Sequence, residues 1–102
     1  MLPLIENNRL GLIELCRQYH VKTLEIFGSA ADGTFDPARS DLDFLVEFLP
    51  DPAAQPFDDF FDLLDSLQTL FGRKVDLIMP RAIRNPYLQQ AIDRQRRVLY
   101  AA

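Results

Sequence analysis

Residues 27–46 read FGSAADGTFDPARSDLDFLV, and the fold turns on how the two ends of this stretch meet. The run leading into it, TLEIF at residues 23–27, is short, β-branched and aromatic, and stops at Gly28. That pattern predicts a strand. At the far end, LDFLVEF at residues 42–48 predicts a second strand, closed by Pro50. Between them, Gly28-Ser29-Ala30-Ala31 lies directly after the first strand. Glycine allows a sharp turn and a close approach to a ligand, and the small residues after it can open a helix. Backbone N–H groups at a helix start, with the Ser29 hydroxyl beside them, suit an anion. Taken alone, the same residues also fit a plain turn.

Asp41 and Asp43 stand at the start of the second strand. Strand side chains alternate, so these two project from one face while Leu42, Phe44 and Val46 project from the other. Two close carboxylates repel unless a cation or proton sits between them. A third acid, Asp76, interrupts the apolar run KVDLIM at residues 74–79, which predicts a third strand. An acid there costs free energy unless it is paired or bound to a metal, or lies on a solvent-facing edge. If the second and third strands pair, the three carboxylates converge and form an oxygen donor set for Mg²⁺. Two such ions can activate a hydroxyl nucleophile and stabilise a leaving pyrophosphate.

The rest of the chain frames these strands. Residues 3–19 predict a helix, with Leu4, Ile5, Leu12, Ile13, Leu15, Cys16 and Tyr19 at mixed three- and four-residue spacing and Pro3 in a first turn. Cys16 lies on that stripe, which predicts a buried, inert thiol. His20 ends the helix, where a cation complements the dipole. DPAAQP at 51–56 predicts a loop. Residues 57–71 predict an amphipathic helix. Phe57, Phe60, Phe61, Leu64, Leu67 and Phe71 would face the core, Asp58, Asp59, Asp62 and Asp65 water, and Gly72 would stop it. Residues 86–97 predict a last helix opened by Pro86, with Tyr87, Leu88, Ala91 and Ile92 apolar. The final VLY fits either a short strand or an extended tail. The expected architecture is one α/β (α+β) domain over residues 1–102, a small mixed sheet with flanking helices.

Composition narrows the function classes. With 102 residues, 48% apolar and 25% charged, the chain matches an ordinary globular domain and excludes a disordered or collagen-like one. One cysteine and one histidine exclude a disulfide framework and a His/Cys metal cluster. No apolar run approaches the ~20 residues of a membrane span. MLPLIENNRL lacks the basic start and apolar stretch of a signal peptide, so a cytoplasmic protein is expected. The net charge of −4 is uneven: residues 28–79 carry eleven acids and three bases, residues 80–102 five arginines and one aspartate. An acidic middle suits divalent cations and argues against direct nucleic-acid binding. The C-terminal arginines read as a solvated helix face, or as a contact for an acidic partner.

Phe27-Gly28-Ser29, then Ser40-Asp41-Leu42-Asp43-Phe44-Leu45-Val46, then Arg73-Lys74-Val75-Asp76-Leu77-Ile78 together resemble the minimal nucleotidyltransferases of the polymerase-β superfamily. The resemblance implies that Gly28 and Ser29 bind the nucleotide phosphates. It makes Asp41, Asp43 and Asp76 the catalytic acids and ligands of two Mg²⁺ ions, with ATP as substrate. At this size the chain looks like the MntA-type antitoxins, which implies a HEPN-family toxin ribonuclease as partner and AMP transfer to a tyrosine of that toxin. There is little room for a separate acceptor domain, so the acceptor comes from a partner or another subunit. One position departs from the pattern: Asp32 stands where members commonly carry arginine. An acid there disfavours phosphate unless Arg39, Arg73 or Lys74 compensates, and it supports a second reading, an antitoxin that neutralises its partner by binding alone.

Overall fold

The computed structural model of the chain describes residues 2–50 and 56–102, with side chains in the second segment from Asp58 onward. In chain order its elements are α1 (Pro3–Asn7), α2 (Arg9–Gln18), β1 (Val21–Phe27), α3 (Ser29–Asp32), β2 (Leu42–Phe48), α4 (Pro56–Phe71), β3 (Val75–Ile78), a 3₁₀ turn (Pro80–Ala82), α5 (Pro86–Gln95) and β4 (Arg97–Ala101). The strands form one mixed sheet in the order β3-β2-β1-β4. β1 runs antiparallel to β2 and β4, whereas β2 and β3 are parallel. A parallel pair needs a crossover, and α4 provides it.

Period-two alternation sorts the strand side chains onto two faces. Leu24 and Ile26, Leu42, Phe44 and Val46, and Val75 and Leu77 enter the principal core beneath α2 and α4. There Phe44 stacks on Phe71 with ring centroids 5.9 Å apart. Each large side chain so buried contributes ~1.5–3 kcal/mol. Phe27 and Leu45 turn to the opposite face, where Ile92 of α5 covers them beside Ile78 and Ile83. Asp43 and Asp76 share that second face. A bulge between Val21 and Thr23 shifts the register and returns Val21 to the core side.

Several local expectations change. The helix expected over 3–19 is two helices broken at Asn8, whose side-chain Nδ2 donates to the Leu4 carbonyl at 2.8 Å. Asparagine offers the backbone such alternatives to a continuous helix. β1 starts at Val21, two residues early, because His20 turns the chain with a φ of 60°. Its Nδ1 lies 3.1 Å from Asp59 Oδ2. Asp59 is therefore largely buried against His20 rather than water-facing, its side chain 15% exposed. Phe61, assigned to the core by spacing, is 48% exposed, while Leu63 lies in the core and Leu70 packs against it.

α4 includes Pro56, the last residue of the expected loop; the rest of that expectation, residues 51–55, lies outside the described residues, as does the Phe57 side chain. α5 ends at Gln95, and only Ile92 of its apolar residues is buried; Tyr87 and Leu88 are exposed. Its start is fixed by Asn85, whose side chain accepts the N–H groups of Tyr87 and Leu88, the two residues after Pro86. The terminal VLY belongs to a strand, β4, which buries Leu99. Among the described residues no helix is long and apolar enough to cross a membrane.

Candidate active site

Gly28 joins β1 to α3 with φ 72° and ψ −151°, a region that only glycine occupies without strain. Its flank is equally constrained. Phe27 and Asp43 are direct partners across β1 and β2, and a Cβ on Gly28 would collide with the Asp43 carboxylate. α3 is a single turn in which the Gly28 carbonyl accepts the N–H groups of Ala31 and Asp32. Ala30 anchors that turn in the core, and half-buried Ser29 follows Gly28 directly.

Asp43 and Asp76 sit opposite each other in the parallel register of β2 and β3. Their carboxyl groups lie close enough for one, when protonated, to donate to the other. Burial, the bond to Asp76, and the charges of Asp76 and Asp41 push the Asp43 carboxyl from its ordinary 3.8 up to about 6. Asp43 therefore keeps its proton above the usual carboxylate range.

Asp41 stands one residue before β2, half-exposed, with Oδ2 3.7 Å from Lys74 Nζ. The structure thus brings Asp43 and Asp76 into contact and leaves Asp41 at the rim, near enough for its charge to act on Asp43. Among the described residues no three acidic, histidine or cysteine side chains form a ready metal-binding group. The donor chemistry nonetheless fits a hard divalent ion. A half-buried pair of oxygen acids that repel each other, approached across a bare glycine, is relieved by a cation that takes oxygen ligands.

The loop beside the site explains Asp32. Its Oδ1 accepts the Thr34 N–H at 2.9 Å and the Thr34 hydroxyl at 2.6 Å, and these bonds hold its carboxyl below the usual range. Of the bases expected to compensate for it, Lys74 faces Asp41. Arg73 lies over the Phe35 ring, 5.0 Å from its centroid, and donates through Nη1 to the carbonyls of Pro37 and Ser40. Arg39 is exposed. Sequence reasoning missed the partnership of Phe35 and Arg73; a lone aromatic inside a polar loop was the available signal. Cys16 lies elsewhere, in the core, its thiol pushed up to about 12 by burial.

The family model described as Polymerase beta, Nucleotidyltransferase matches residues 11–102. The chain belongs to this nucleotidyltransferase family. A relative from Methanocaldococcus jannaschii, MJ0128, named as a candidate protein adenylyltransferase, is 43% identical over 79 residues, covering 78% of this chain and 76% of the relative. A solved candidate minimal nucleotidyltransferase matches with a TM-score of 0.72 and 28% identity, over 91% of this chain and 90% of its own. A toxin–antitoxin crystal structure with AMP-PNP matches with a TM-score of 0.68 and 25% identity, over 93% of this chain and 74% of its own. A mutant MntA toxin–antitoxin structure gives 0.65 and 25%, over 93% and 73%. The resemblance drawn from Gly28-Ser29, Asp41-x-Asp43 and Asp76 is thus borne out: this nucleotidyltransferase has its likeness among minimal nucleotidyltransferases and MntA-type antitoxins.

Proposed function

We propose that this nucleotidyltransferase is an Mg²⁺-dependent antitoxin that transfers AMP from ATP to a tyrosine hydroxyl of a HEPN-type toxin. The observation that carries the reading is the half-buried Asp43–Asp76 pair beside Gly28. Relatives named for protein adenylyltransfer and a toxin–antitoxin neighbour holding an ATP analogue support the same chemistry. Gly28 and Ser29 cradle the triphosphate. Asp41 and Asp43 hold the metals, and Asp76 holds one metal and orients the acceptor hydroxyl. Bound Mg²⁺ supplies the positive charge that reconciles these acids with the phosphates.

In the transfer, the tyrosine oxygen forms a bond to the α-phosphorus and the bond from that phosphorus to the bridging oxygen breaks. Pyrophosphate departs with the bonding electrons. The hydroxyl proton passes to Asp76 and from there to water. The feature that favoured a binding-only antitoxin was the acid at position 32, and its carboxylate is occupied by Thr34.

The test is incubation of the chain and its candidate toxin with ATP labelled at the α-phosphate, with Mg²⁺ or with EDTA. Label on a toxin tyrosine in the Mg²⁺ sample alone is the expected result. A stable complex that never acquires label refutes transfer and supports neutralisation by binding.

A further inference from the structure

Arg73 and Lys74, the two residues just before β3, grip Ser40, Asp41 and Leu42, where the chain enters β2. Arg73 donates to the Ser40 carbonyl at 3.4 Å, Lys74 Nζ lies 3.7 Å from Asp41 Oδ2, and the Lys74 carbonyl accepts the Leu42 N–H at 3.3 Å. The loop that Arg73 reaches is already tightly wound. Asp36 Oδ1 accepts the Ala38 N–H, the Asp36 carbonyl accepts those of Arg39 and Ser40, and Ser40 Oγ accepts the Asp36 N–H. Phe35 packs against the core from one end of this self-bonded turn. Arg73 adds a polar attachment, meeting the turn at three points: the Phe35 face, the Pro37 carbonyl at 3.3 Å and the Ser40 carbonyl. Its Nε is buried without an acceptor, so the guanidinium is held here by stacking and by Nη1 rather than by an ion pair.

We propose that Arg73 is a positioning residue: by clamping the 34–40 loop to β3, it sets where Asp41 stands at the rim of the Asp43–Asp76 pair. The proposal rests on the reading of Asp41 as a metal-holding group. A planar guanidinium can stack on Phe35 and direct N–H groups to carbonyls at once, which an ammonium cannot. Arg73→Lys therefore keeps the charge and loses the clamp, and Phe35→Leu keeps apolar bulk and loses the stacking surface.

The first readout needs no activity. Arg39-Ser40 lies inside the wound turn, so trypsin reaches this bond only when the turn opens, and its cleavage reports the open population. Arg94, exposed on α5, is the internal reference for general loosening. Arg73→Lys is expected to raise cleavage at Arg39 relative to Arg94 by about tenfold, the scale of a lost hydrogen bond from a charged donor, and Phe35→Leu to raise it severalfold, the scale of a lost cation–π contact. Their melting temperatures should stay within a few degrees of the parent. The second readout is the Mg²⁺ concentration that gives half-maximal binding of AMP-PNP, expected to rise severalfold in both.

An unchanged Arg39-to-Arg94 cleavage ratio in both variants overturns the clamp. A raised ratio with an unchanged Mg²⁺ requirement overturns its role in placing Asp41. If the wild type binds AMP-PNP equally well without Mg²⁺, the metal-site reading itself fails, and the positioning role fails with it. That result is visible before any variant is made, while the cleavage ratio still judges the clamp.

Discussion

Replacing Asp43 with asparagine should make the metal-free protein more stable at neutral pH while destroying its chemistry. The Asp43 carboxyl is raised from 3.8 to about 6 by burial and by its bond and charge interactions with Asp76 and Asp41. A raised carboxyl pKa means that the native state keeps a proton that the unfolded chain has already lost between those two values. The group therefore costs nothing below about pH 4, costs progressively more as pH rises toward 6, and costs its full amount above that. Each tenfold change in proton affinity is worth about 1.4 kcal/mol, so the upper bound is ~3 kcal/mol. Asp43 is only half-buried, and solvent screening reduces this to ~1–2 kcal/mol.

Asp43→Asn removes the charge, retains the size and can donate an N–H to Asp76. In a chain of this length, the gain at pH 8 corresponds to a melting temperature ~5–10 °C higher. The assay is thermal unfolding of both proteins in EDTA at pH 4, 6 and 8, then at pH 8 with Mg²⁺. The variant's advantage should be absent at pH 4 and complete at pH 8, and Mg²⁺ should raise the melting temperature of the wild type more than that of the variant. A variant no more stable than the wild type at pH 8 would falsify the claim that the pair is electrostatically strained.

Gly28→Ala forces a Cβ into a φ of 72° and against Asp43, so urea denaturation should show a loss of ~1–3 kcal/mol; an alanine variant of full stability would show that the turn adapts freely. Asp76→Asn should keep most nucleotide binding but lose at least ~10²-fold in transfer, the scale of removing a general base; binding by calorimetry and label transfer, measured side by side, decide it. Asp32→Asn keeps the acceptor for Thr34 while removing one charge, so AMP-PNP affinity in low salt should tighten by less than about tenfold; weaker binding would mean that the carboxylate serves the nucleotide directly.

The strands were legible because alternation is local. Leu42, Phe44 and Val46 announce their face, and the acids at 43 and 76 break the apolar pattern. The pairing of β2 with β3 could be supposed but not its register, since the facing of Asp43 and Asp76 depends on how the α4 crossover seats the third strand. Phe61 and Asp59 were misassigned for a related reason. A helical stripe defines a direction to within a residue or so, and the actual seat of α4 selects Leu63 and Leu67 for the core. It also brings Asp59 to His20, 39 positions away in sequence. The Arg73–Phe35 contact joins residues 38 apart, a pairing that no local pattern encodes.

The placement of the bases completes the electrostatic argument. On the proposed function, ATP would bring several negative charges to a surface that already holds Asp41, Asp43 and Asp76. Two of the nearby cations are engaged, Arg73 with the loop carbonyls and Phe35 and Lys74 with Asp41, whereas Arg39 is exposed and Arg97 lines a cleft with Ala30, Ala31 and Gly33 of the α3 turn. Free guanidinium groups such as these can meet phosphate oxygens directly. Nothing of that kind faces the acid pair itself among the described contacts, where Lys74 reaches only Asp41. On the proposed function, a divalent cation travelling with the nucleotide would supply the remaining charge balance at the acids. The same acids that make the empty site costly then become favourable ligands. The stability lost at pH 7 without metal and the affinity gained with it are therefore two measurements of one arrangement, in which β2 and β3 hold Asp43 opposite Asp76.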